Sequence, residues 1–233
     1  MDWNKEILQK PTWNKQITNK EAKEKIAKKM VEKVQNGDVI GFGSGSTSYL
    51  TALEIASKMQ AENIKITAIP TSHEIKMLCT YLNIPTATLE EKKPDWCFDG
   101  ADEVDHDNWM IKGRGAAMFN EKLNIKSASK TYILVDKTKI VNKLGINFPI
   151  PVEVSPKAIN LVKQEIFNMG ATSIELRLAQ KKDGPVITEN GNLILDVKFN
   201  NIDETLERRL KNITGVIETG LFIGYNVEII TEE

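Results

Sequence analysis

Between Asn19 and Gln35 the apolar residues Ala22, Ile26, Ala27, Met30, Val31 and Val34 recur at helical spacing among charges, with Gly37 just beyond. This pattern predicts an amphipathic surface helix that stops at the glycine. The period then changes. A short apolar run over 38–43 reads as a buried strand, and a helix is predicted from Ser46 to about Gln60. A strand over 64–69 follows, then a helix opened by "TSHE" with Ser72 as its cap. The strand-like runs "DWCFDG", "WMIKG" and "TYILVD" come next, the last two separated by a helix from about Gly115 to Ala128. Alternation of this kind predicts a parallel sheet covered on both faces.

After "FPIPVEV" the rhythm is different. Strands are predicted over 149–154, 172–178, 192–198 and in "GVIETGLF", with helices over 156–168 and 203–211. The order β-α-β-β-α-β is that of a small ferredoxin-like α+β unit. A final strand, "YNVEIIT", is placed back in the large sheet.

Composition narrows the class. Of 233 residues, 41% are hydrophobic and 27% charged, an ordinary globular balance. With 31 basic against 32 acidic side chains the formal net charge is -1, so neither nucleic acid nor a membrane is expected as a partner and any anion site must be local. Cys79 and Cys97 fit neither a disulfide framework nor a zinc site, which points to a reducing compartment. The N-terminal stretch is polar, and no run approaches the roughly 20 apolar residues of a membrane span. A cytoplasmic location is expected. The sequon at Asn212 is read as a chance match.

Candidate chemistry begins at "GFGSGST". A strand, a glycine loop and a helix start bring free backbone N-H groups and the helix dipole onto an anion. The spacing of Gly41, Gly43 and Gly45 is not that of a dinucleotide fingerprint, and the lysine of a triphosphate-binding loop is missing, so a single phosphate is the better fit. Alternatively the loop is only a tight turn capped by Ser46 or Thr47. "FDGADEVDHDNW" places Asp99, Asp102, Glu103, Asp105 and Asp107 directly after a strand. These acids are either solvated or acceptors for sugar hydroxyls; the pattern of a calcium loop is absent, and no metal is expected. In "IKGRGAAMFNEK", Lys112 in a glycine loop can approach an oxyanion, and Glu121, in an apolar stretch, could have a raised pKa and act as a general base. Paired surface charges are the plain alternative. The combination suits proton transfer beside a carbonyl in a phosphorylated sugar.

These motifs, with "PTS", "DKTK", "NGNLILD" and "GVIETGLF" in one order from about residue 20 to the end, resemble the ribose-5-phosphate isomerase A family. The resemblance implies an α/β fold with a Rossmann-like parallel sheet domain (1–145 and 223–233, with 1–18 as an N-terminal extension) and a smaller ferredoxin-like α+β domain (146–222). It implies no metal and no organic cofactor, a sugar phosphate as the small-molecule partner, and a homodimer or homotetramer. Glu121 would shuttle the proton through a cis-enediolate, with Asp99 assisting at the hydroxyls and Lys112 and the neighbouring amides stabilising negative charge. Substrate binding would involve Ser44, Gly45, Ser46, Thr47, Asp99, Gly100, Ala101, Asp102, Lys112, Gly113, Arg114, Gly115 and Lys139, with Lys23 near the phosphate.

Two features depart from the family. Arg114 stands where many members carry glycine, and the first residues, with Trp3 and Trp13, extend beyond the matched part. A sugar-phosphate sensor and a different enediol enzyme stay open as alternatives, although no basic helix-turn-helix pair precedes residue 38. Asp196 is read as structural or as serving the domain interface, the small domain as an assembly surface, and neither His73 nor His106 is given a catalytic role.

Overall fold

The computed structural model describes Trp13 and residues 16–233, which divide into two compact units. The first comprises the described residues up to Gly100 together with 120–138 and 226–233. It opens with α1 (Lys20–Val31), whose helical stripe buries Ile26, Ala27 and Met30 completely. Its charged residues face outward except Lys23, which is also buried.

From there strands and helices alternate: β1 (Val39–Phe42), α2 (Ser46–Glu62), β2 (Thr67–Pro70), α3 (His73–Tyr81) and β3 (Trp96–Asp99). Ser72 caps α3 as expected, its hydroxyl accepting from the Ile75 amide at 3.4 Å. Further on lie α4 (Met118–Ser127) and the strand Lys130–Leu134, numbered β6 because two short strands precede it. The last strand, β12 (Glu228–Ile230), pairs in parallel with β6, so the C-terminal run does return to the large sheet.

All five strands of that sheet run parallel, in the order β12-β6-β3-β1-β2. The chain leaves β1 toward one side to form β2 and crosses to the other side for β3. Such a reversal opens a crevice at the carboxyl ends of the two strands, where ligands of doubly wound sheets bind. The loop after β1 and the end of β3 are therefore placed by topology. Phe42 and Phe98 pack ring to ring in the core at 4.8 Å, and Trp96 meets Tyr132 edge-on at 5.7 Å. Trp13 lies against Tyr49 of α2, with ring centroids 5.7 Å apart. Trp3 and the remainder of the N-terminal extension before residue 16 fall outside the described residues.

The second unit comprises 101–119 and 139–225. The stretches 101–119, 139–145 and 223–225, assigned to the larger domain from the sequence, group here instead. The reason is pairing: β4 (Glu103–Val104), β5 (Met110–Ile111) and β11 (Leu221–Phe222) form one antiparallel sheet. A second antiparallel sheet has the order β10-β7-β9-β8, from β7 (Ile150–Val154), β8 (Ser173–Leu176), β9 (Leu193–Lys198) and β10 (Val216–Thr219). The helices α5 (Ile159–Asn168) and α6 (Leu206–Lys211) complete the ferredoxin-like β-α-β-β-α-β succession. No helix among the described residues is long and apolar enough to cross a membrane.

The single strand expected in "GVIETGLF" is in fact two strands in two sheets. Gly220 is the point of transfer: its amide donates to Pro151 O at 2.7 Å and its carbonyl accepts from the Lys112 amide at 2.8 Å. A Cβ there would lie 2.2 Å from Lys112 O, so no side chain fits. The transfer is a tertiary contact that periodicity does not encode.

Glu103 secures the second unit from within. It is fully buried, and its carboxylate accepts from the amides of Gly145 at 2.6 Å, Asn147 at 2.5 Å and Phe148 at 3.0 Å. Charge-assisted acceptance from three amides holds the 145–148 turn against β4. Glu103→Ala leaves these donors without their acceptor, and urea unfolding should show a loss of about 3 kcal/mol or more, since each buried unsatisfied group costs about 1–3 kcal/mol.

Candidate active site

In the first unit the glycine loop is shaped by close backbone approach. A Cβ on Gly43 would fall 2.2 Å from the Asp99 carboxyl carbon and 2.6 Å from its Cα, so only glycine lets β1 end against β3. Gly45 then takes φ 101° and ψ 176°, a conformation open to glycine, and becomes the residue preceding α2. The alternative of a tight turn capped by Ser46 or Thr47 is not what forms: the cap position is Gly45, which supplies no side-chain hydrogen bond. The first amides of a seventeen-residue helix are left without a side-chain cap, the condition under which a helix N-terminus attracts an anion.

Thr71, in the "PTS" motif just after β2, ties this loop to α4. Its amide and hydroxyl both donate to Phe42 O, at 3.0 and 3.1 Å. Because the hydroxyl proton is committed there, the Ser44 hydroxyl 2.8 Å away is the donor to Thr71 Oγ1. Ser44 thus spends its proton on holding the loop. The Thr71 carbonyl accepts from Asn120 Nδ2 at 2.9 Å, and Asn124, one turn on, donates to Ile69 O at 2.9 Å. These two bonds fix α4 to the end of β2 and set the position of Glu121, which is only 4% exposed. Asp99, 3% exposed at the end of β3, accepts from the Gly100 amide at 2.7 Å.

Lys23, also of this unit, lies 3.8 Å from Asp136 and donates to Thr18 Oγ1 at 3.3 Å. Burial alone would raise the Asp136 pKa. Hydrogen bonds from Thr138 and Asn19 and the charge of Lys23 outweigh it and hold the carboxyl below the usual range. Of the predicted residues, Ser44, Gly45, Ser46, Thr47, Asp99, Gly100, Glu121 and Lys23 all belong to this first unit.

The second unit holds Ala101, Asp102, Lys112, Gly113, Arg114, Gly115 and Lys139. Lys112, 2% exposed, follows β5, and its ammonium sits over the Phe222 ring at 5.4 Å. Gly113 turns the chain with φ 93°, and Ala116 closes the turn in the left-handed region at φ 64°, its amide donating to Gly113 O at 2.9 Å. Asp102 accepts from the Arg114 amide at 3.1 Å. Loss of solvation pushes the Asp102 carboxyl up, an effect opposed by that amide and by the charges of Lys112, Lys139 and Arg114. Lys139 also lies over Phe148 at 4.8 Å.

The acidic loop divides by role. Glu103 is the buried anchor described above, and Asp105 accepts from the amides of Asp107 at 3.0 Å and Trp109 at 2.9 Å, closing the β4-β5 turn. Two residues without a role in the sequence analysis each organise candidate residues within their own unit: Thr71 in the first, whose only signal was its place in "PTS", and Arg177 in the second, which pairs with Asp196 and donates to the carbonyls of Gly113 and Arg114.

Comparison with known proteins identifies the family. A family profile described as ribose 5-phosphate isomerase A (phosphoriboisomerase A) matches residues 67–233. Ribose-5-phosphate isomerase A of Methanocaldococcus jannaschii is 44% identical over 209 residues, covering 88% of this chain and 92% of that protein. The protein of the same name from Methanothermobacter thermautotrophicus is 42% identical over 204 residues, covering 87% and 89%. The solved Methanocaldococcus jannaschii structure superposes with a TM-score of 0.87 at 42% identity, covering 91% of this chain and 94% of that one. A D-ribose-5-phosphate isomerase in complex with phospho-erythronic acid gives 0.86 at 39% identity, covering 90% and 93%. By sequence and by fold, the chain belongs to the ribose 5-phosphate isomerase A family and is an aldose-ketose isomerase.

Proposed function

We propose that the chain interconverts D-ribose 5-phosphate and D-ribulose 5-phosphate by moving a proton between the first two sugar carbons through a cis-enediolate. Glu121 takes the proton from C2 of the open-chain aldose and returns it to C1. The C2 hydroxyl proton passes to the oxygen on C1, leaving the ketone at C2. Asp99 assists ring opening and proton movement at the hydroxyls. Lys112 and the amides of the lysine loop stabilise the enediolate charge, and Asp102 holds sugar hydroxyls.

The uncapped start of α2, with Ser46 and Thr47, is assigned to the phosphate end, with Lys139 and Lys23 as further ligands. Gly100, Ala101, Gly113 and Arg114 complete the binding set. This chemistry needs no metal and no organic cofactor. In this reading the protein works in the cytoplasm, in the non-oxidative pentose phosphate pathway, as a homodimer or homotetramer.

The observation that carries the proposal is the Thr71 junction. One buried residue, 1% exposed, joins the anion-type loop to the helix bearing a buried carboxylate, as proton transfer on a phosphorylated sugar requires. A relative solved in complex with phospho-erythronic acid, a phosphorylated sugar acid, supports the substrate class.

The deciding assay follows ribose 5-phosphate and ribulose 5-phosphate with EDTA-treated wild type beside Glu121→Gln. Activity should survive chelation and fall about 10²-fold or more in the variant, the lower range for a lost general base. Sugar-phosphate binding with no turnover by the wild type would instead favour a sensor. Replacing Ser46 and Thr47 together by Ala should raise KM more than it lowers kcat; a lower kcat at unchanged KM would remove them from ground-state binding.

A further inference from the structure

Asp196, the last residue of "NGNLILD", lies on β9 and meets Arg177 through two parallel hydrogen bonds, Nε to Oδ2 at 2.8 Å and Nη2 to Oδ1. The backbone of Arg177 is held as well. Its amide donates to Ile194 O at 2.9 Å and its carbonyl accepts from the Val186 amide at 2.9 Å. A guanidinium fixed by a fork-to-fork pair at one end and by an anchored backbone at the other has little rotational freedom left. Its remaining nitrogen, Nη1, points at two successive carbonyls of the lysine loop, Gly113 O and Arg114 O, both at 3.0 Å.

We propose that Arg177 is a positioning residue that, through these two carbonyls, aims the Gly115 amide at the anion formed during the reaction. This rests on the isomerase reading above. In a planar trans peptide the carbonyl and the following N-H point in opposite directions. Drawing the carbonyls of Gly113 and Arg114 toward the guanidinium therefore turns the amides of Arg114 and Gly115 away from it.

The first of these amides is used inside the protein, donating to Asp102 Oδ2 at 3.1 Å. The second donates to no protein atom among the described residues. Gly115 is exposed, and a Cβ built on it would meet nothing within 4 Å, so the residue borders open space. An oriented, accessible N-H three residues from Lys112 is the kind of donor that stabilises a developing oxyanion without reorganising. Asp196 acts one step further back by keeping the guanidinium in plane.

Lysine cannot replace this arrangement, because a single ammonium on a flexible stem does not hold a carboxylate in a fork and two carbonyls at once. The role differs from a purely structural one in what it changes. Misaiming the amide weakens binding of the anionic state and leaves ground-state sugar binding largely intact, so kcat falls while KM stays.

The test compares Arg177→Ala, Arg177→Lys and Asp196→Asn with wild type in the full chain, with urea midpoints measured alongside. Steady-state kinetics on ribose 5-phosphate are combined with the Gly115 amide resonance during titration with phospho-erythronate. The expected result is a fall in kcat of about 10- to 100-fold in Arg177→Ala, less than complete removal of such a donor, with Arg177→Lys recovering only part of it. KM should stay within about threefold of wild type. The Gly115 resonance should move on titration in wild type and move less in the variants.

Should Arg177→Ala fail to fold, Arg177→Lys and Asp196→Asn carry the same comparison. Variants with wild-type kcat, a loss confined to KM, or a Gly115 resonance that phospho-erythronate leaves unmoved in wild type would overturn the proposal. Failure of the isomerase reading is seen separately, as a wild type that does not turn over ribose 5-phosphate. The Gly115 response then still judges the positioning role.

Discussion

The first unit is organised around the hydrogen bonding of one buried threonine. Thr71 cannot be replaced by an apolar side chain of similar shape without consequence, because its hydroxyl both donates to Phe42 O and accepts from Ser44. Its backbone carries the rest, the amide reaching β1 and the carbonyl receiving Asn120. In a low-dielectric interior such linked bonds reinforce one another, and losing one member strands the others. The loop after β1 and the helix bearing Glu121 thereby share one reference point, and side chains on two different elements keep a fixed relation within the unit.

Steric constraint does for the acids what hydrogen bonding does for the loop. Gly41 and Gly43 let β1 press onto β3: a Cβ on Gly41 would come within 2.6 Å of the Cys97 Cβ, and one on Gly43 would occupy the place of the Asp99 carboxyl. In the second unit Gly220 does the same against Lys112 O, and Gly113 against Met118, whose Cε would lie 2.7 Å from an added Cβ. The glycines of the loop motifs are thus of two kinds. Some supply a conformation, as Gly45 does, and others give up volume so that a functional neighbour can sit against the backbone.

What was legible in the sequence was local. The stripe of α1, the cap at Ser72 and the alternation that builds a parallel sheet each depend on residues a few positions apart, and each is found where the spacing put it. The division of "GVIETGLF" between two sheets depends on Gly220 meeting residues 69 and 108 positions away in the chain, Pro151 and Lys112, and no period reports that. The same holds for Glu103. Its neighbours in "DGADEVD" suggested a cluster of similar acids, yet its carboxylate collects amides from beyond residue 144. Thr71 and Arg177 escaped because their roles are hydrogen bonds to backbone atoms, which leave no mark on the residue types they hold.

Arg114 can now be placed in physical terms. The resemblance read from the sequence sets it against a glycine, a change that would be costly if the position required a left-handed backbone or close packing. It requires neither: its φ is not among the positive values of the chain, and the residue is exposed. What the loop needs at this position is the peptide group, whose carbonyl goes to Arg177 and whose amide goes to Asp102. Those bonds are the same for any side chain. The added guanidinium is felt by Asp102 as one more positive charge, working with Lys112 and Lys139 against the loss of solvation, which is the larger effect and leaves the carboxyl pKa raised. The substitution therefore leaves the positioning of the loop intact and adds one positive charge to those that oppose the rise of the Asp102 pKa.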